Sequence, residues 1–92
     1  MREIICLGNT MHETELALLE LQMILKNNTI PFKRIKHRNE LIICNSIKII
    51  GISLEDKANF KYYVHKKAEA FNADAFLRIQ DPEDQLKVIL GR

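Results

Sequence analysis

No apolar run in this chain approaches the ~18–20 residues of a membrane-crossing helix, so no membrane partner is expected. Cysteine is scarce. Cys6 and Cys44 each sit beside aliphatic residues and are expected as reduced, buried thiols, with one disulfide between them as the alternative. The histidines at 12, 37 and 65 stand at no zinc-ligand spacing from either cysteine, so neither a metal nor any other cofactor is expected. There is no internal repeat, low-complexity tract or linker. The net charge of +2 does not mark the whole chain as a nucleic-acid binder. Only five largely apolar residues follow Met1-Arg2-Glu3, too few for a secretory leader, so a cytoplasmic location is expected.

What is there reads as one α+β domain over residues 1–92. At 47% hydrophobic and 28% charged the chain falls in the globular range, not the disordered one. A domain this small buries only about 60–65% of its unfolded surface. Self-association is a common way to recover stability.

The aliphatic run "REIICL" predicts a strand over 2–7. Thr10-Met11-His12-Glu13 fits a capping box and starts a helix that should run to about Lys26. "FKRIKHR" and "ELIICN" are expected as a hairpin around Arg38-Asn39, and "SIKIIGI" as the next strand. A second helix is expected from Leu54 to about Phe71, capped by Ser53, with Phe60, Val64, Ala68 and Phe71 toward the core. "DAFLRI" (74–79) is expected as a strand. Asp81-Pro82-Glu83-Asp84 opens a final helix that Gly91 ends. The order β-α-β-β-β-α-β-α implies an α+β fold, a single antiparallel or mixed sheet with helices on one face, a ferredoxin-like variant. The alternative is the α-β-β-β-α-β core of restriction-type nucleases without its active site. Glu40 only begins its strand, and Lys48 has no acid beside it to help hold a cation.

"CLGNTMH" (6–12) resembles the Cys-x5-Arg phosphate loop of low-molecular-weight tyrosine phosphatases. The resemblance implies a Cys6 nucleophile and an acid at Asp81. His12 stands where that family has its arginine clamp, however, and Glu13 follows where a hydroxyl belongs, so no catalytic residue is assigned. A lesser reading keeps Gly8, Asn9 and Thr10 as an anion site at the helix start.

The helix 10–26 carries two apolar faces. Met11, Leu18, Leu21 and Leu25, flanked by Ala17 and Ile24, make one. Leu16, Leu19 and Met23 make a second, roughly opposite. A helix lying on a sheet needs only one, so the second packs against Leu86, Ile89 and Leu90 or against another chain. The leading functional expectation is a small non-enzymatic binding protein, a homodimeric regulator or inhibitor acting through Leu16, Leu19 and Met23 and an exposed sheet edge. The alternative is a nucleic-acid-binding module. Along a strand Arg34, Lys36 and Arg38 share a face at ~6.6–6.8 Å per pair, near phosphate spacing. Lys33 and His37 add charge, and Tyr62 with Lys66 offers a stacking platform. Such a basic strand also protects a sheet edge from pairing.

Overall fold

The aliphatic run that opens the chain forms β1 (Arg2–Gly8), an interior strand of a five-stranded sheet. A computed structural model describes residues 1–66 and 69–91 of the chain. After β1 come α1 (Met11–Asn27), β2 (Phe32–Ile35), β3 (Glu40–Ile43), β4 (Ile47–Ser53), α2 (Lys57–His65), β5 (Glu69–Asn72), α3 (Ala73–Arg78) and α4 (Pro82–Leu90). The strand order is β2-β3-β4-β1-β5. β2, β3 and β4 form an antiparallel meander, and β1 runs parallel to both β4 and β5. The fold is therefore α+β with one mixed sheet.

Parallel neighbours require crossover connections, and α1 and α2 supply them on opposite faces. Ile4, Cys6, Ile47, Ile49, Leu41 and Ile43 pack with α1, α3 and α4 in the main core. Ile5, Ile50 and Ile52 point the other way, onto Phe60 and Tyr63 of α2. This corrects the expectation of helices on one face, and with it the ferredoxin-like variant. The reason lies in β1 and β4 themselves. "IICL" and "IKIIGI" are aliphatic on both faces, the pattern of strands covered from both sides.

α1 starts as expected. Thr10 Oγ1 accepts the Glu13 amide and the Glu13 carboxylate accepts the Asn9 amide, each at 3.1 Å. The second helix is shorter than expected and begins later. Ser53 ends β4, and Asp56 caps α2 instead, its Oδ1 accepting the Asn59 amide at 3.2 Å. The core position expected at Ala68 falls outside the described residues. Phe71, expected in the helix, lies in edge strand β5 opposite Cys6. The expected strand at 74–79 is α3, capped by Asn72, whose Oδ1 accepts the Ala75 amide at 2.9 Å. Asp74 and Arg78 pair along it. α4 runs from Pro82 and ends at a left-handed Gly91 as expected. No helix among the described residues is long and apolar enough to cross a membrane.

Candidate interaction surface

α1 buries Ala17, Leu18, Leu21, Ile24 and Leu25. The second apolar face stays in solvent: Leu16, Leu19 and Met23 are 42%, 51% and 54% exposed. Leu86 and Ile89, which α4 turns inward, join the main core beside Leu18 and Leu21. They do not cover the second face. The spacing 16, 19, 23 alternates three and four residues, as along a helix-packing seam.

This ridge borders a groove of about 310 Å³ between α1 and the sheet edge, lined by Glu15, Leu19, Gln22, Arg34 and Lys36. β2 forms that edge. Both signs of charge therefore meet beside the apolar ridge.

The basic segment is not the single strand expected. β2 ends at Ile35, and Lys36–Arg38 form a 3₁₀ turn leading to Asn39, whose φ is 50°. Arg34, Lys36 and Arg38 accordingly do not line one strand face. Arg34 also turns inward. Its guanidinium donates to the Glu40 carbonyl and to Asn39 Oδ1, both at 2.9 Å. Burial pulls its pKa below the ordinary value, against the raising effect of Glu15. Arg38 stands 3.7 Å from Glu40. Lys33, Lys36 and His37 remain exposed. On α2, Lys66 Nζ sits 4.7 Å above the Tyr62 ring, so a base stacking there must displace it.

The opening loop offers little to an anion. The Asn9 and Glu13 amides are already bonded, and the carboxylate of Glu13 lies among them. Cys6 is fully buried, and burial, reinforced by the Glu13 charge, pushes its thiol up to about 12. That environment opposes a thiolate nucleophile. Cys44, expected to be buried, is exposed instead. It occupies the β3–β4 turn with φ 52°, beside Asn45 at 55°, and the turn's reversal carries its side chain off the sheet. Both cysteines are unpaired. No group of three or more His, Cys, Asp or Glu among the described residues is placed to hold a metal ion.

Comparison with protein-family models, with curated proteins and with solved structures finds no match to this chain.

Proposed function

We propose that this protein is a small non-enzymatic binding module that works by protein–protein contact, and that its first partner is a second copy of itself. The observation that carries the reading is the stripe of Leu16, Leu19 and Met23, left exposed on a helix that buries Ala17, Leu18, Leu21, Ile24 and Leu25 on its other side. Full burial of such side chains is worth about 1.5–3 kcal/mol each.

A stable interface takes about 800 Å² from each partner, more than three side chains offer. The adjoining groove and its rim extend the patch. Lys33 on β2 discourages strand-to-strand pairing at that edge, so the copies meet helix to helix. Glu15 and Glu20 on α1 and Arg34 and Lys36 at the groove provide both charge signs for the rim. An exposed, unpaired Cys44 suits a reducing compartment, in keeping with a cytoplasmic protein.

Amide spectra recorded over a dilution series test this. Between about 1 mM and 10 µM the shifts that change should cluster on α1 and around Arg34 and Lys36. Concentration-independent spectra, or changes confined to α2 and β5, would refute the reading.

The alternative as a nucleic-acid-binding module rests on the exposed Lys33, Lys36 and His37. The internal hydrogen bonds of Arg34 count against it.

A further inference from the structure

A second surface lies at the carboxyl ends of β1 and β4. These strands are parallel neighbours, yet the chain leaves them toward opposite faces, into α1 from β1 and into α2 from β4. Such divergence opens a crevice beyond the strand ends, where open sheets with parallel strands bind ligands. Here the Leu54 amide bonds the Gly8 carbonyl across the gap at 3.0 Å. A cleft of about 390 Å³ opens beside it, with Met11, Ile50, Ile52, Tyr63 and Glu40 in its wall. That volume is at the small end of the range for ligand pockets.

Glu40 is the unusual member. It stands opposite Ile50 in the sheet register and so projects from the same face. The residue is only 8% exposed, and its buried Oε1 has no hydrogen-bond partner among the described residues. Arg38 Nε lies 3.7 Å away, beyond hydrogen-bond reach, on a side chain that is 57% exposed. Buried polar atoms without partners are rare in native proteins, and each calls for an explanation.

We propose that this cleft binds a small organic cation of the amidinium or guanidinium class. The paired N–H groups of such a cation match the two oxygens of a carboxylate, and Glu40 supplies that carboxylate. The Tyr63 ring and the Ile50 and Ile52 side chains receive the ligand's flat or apolar body, the ring also favouring a cation through its face. Asp56 adds a second negative charge at the rim. Asn59 donates to both Asp56 oxygens, at 3.2 Å from its amide and 2.7 Å from its side chain, which leaves the Asn59 side-chain oxygen as a further acceptor. His37 and Arg38 form the opposite rim. Arg38 competes for Glu40 when the cleft is empty and swings out when a cation enters.

Titration of the full chain with benzamidine, followed by amide shifts, tests the site. Saturable changes should appear at residues 38–40, 50–52 and 59–63. Benzoate, the same ring with the opposite charge, should produce none. Glu40→Gln should weaken benzamidine about tenfold or more, the loss of a charge-assisted hydrogen bond. Arg38→Ala, a change at an exposed side chain that spares the core, should tighten it several-fold by removing the competitor. Absence of saturable shifts in the wild type overturns the proposal. So does equal binding by Glu40→Gln, or weaker binding by Arg38→Ala.

Discussion

Asn39 and Gly51 clasp one another across the β3–β4 pair. The Gly51 amide donates to the Asn39 carbonyl at 2.9 Å, and Asn39 Nδ2 donates back to the Gly51 carbonyl at 3.1 Å. The same Nδ2 reaches Thr14 Oγ1 on α1 at 3.3 Å, while Asn39 Oδ1 accepts from Arg34. One buried side chain with a left-handed backbone thus ties the main helix to the sheet and holds Arg34 inward. The clasp requires glycine at 51. A Cβ there would collide with Asn39 Nδ2 and lie 3.0 Å from Asn39 Cγ and 3.2 Å from Leu18 Cδ1.

Gly51→Ala should therefore cost about 2–4 kcal/mol, through overpacking and broken buried hydrogen bonds. Urea unfolding measures it. Combined with Asn39→Ala, the loss should fall short of the sum of the two single losses, because both act on one contact. A Gly51→Ala protein as stable as the wild type would mean that the clasp does not form.

Much of this was legible in the sequence, and the failures have physical causes. α1 is readable from its cap and its long periodic pattern, and its two apolar faces set Leu16, Leu19 and Met23 apart. The region after β4 misled. Phe60, Tyr63 and Phe71 keep helical spacing, but β5 is a four-residue edge strand defined by pairing with β1, too short to display a period of two. Asn72, just past the end expected for the second helix, is instead the cap of α3. Asp56, with Asn59 three residues on, was the better start signal for α2. Glu40 was hidden for a different reason. An acid at a strand's start reads as solvated, and only the tertiary structure buries it, leaving it 8% exposed.

Neighbouring leucines on α1 should behave oppositely. Leu18→Ala empties space in the main core and should cost about 2–5 kcal/mol. Leu19→Ala should stay within about 0.5 kcal/mol when measured on the dilute, monomeric protein. Similar losses at both positions would show that Leu19 is packed within its own chain.

The two thiols should separate cleanly under alkylation. With iodoacetamide at neutral pH, mass spectrometry should find the adduct on exposed Cys44 alone. Both cysteines should react once urea unfolds the chain. Rapid labelling of Cys6 in the folded protein would contradict its burial and its thiol pushed up to about 12.

Acid should loosen the β5 edge first. The Arg2 guanidinium hydrogen-bonds Glu69 at 2.8 and 2.6 Å and holds its carboxyl below the ordinary 4.5. A depressed folded-state pKa contributes stability above the unfolded value and loses it as pH falls through the folded one. Stability measured as pH falls below 4.5 should thus drop less steeply in Glu69→Gln than in the wild type. The pair is solvent-exposed, so the difference should be small and should shrink further in salt. A steeper fall in the variant would reverse the assignment.

Sedimentation velocity on the wild type and on Leu19→Glu tests the central claim most directly. The wild type should sediment as a dimer at concentrations above tens of micromolar, on the order expected for a modest interface. Leu19→Glu should sediment as a monomer with an unchanged far-ultraviolet circular dichroism spectrum. A wild type that stays monomeric, or a folded Leu19→Glu that still dimerises, would contradict the assignment of the Leu16, Leu19 and Met23 stripe as the docking surface.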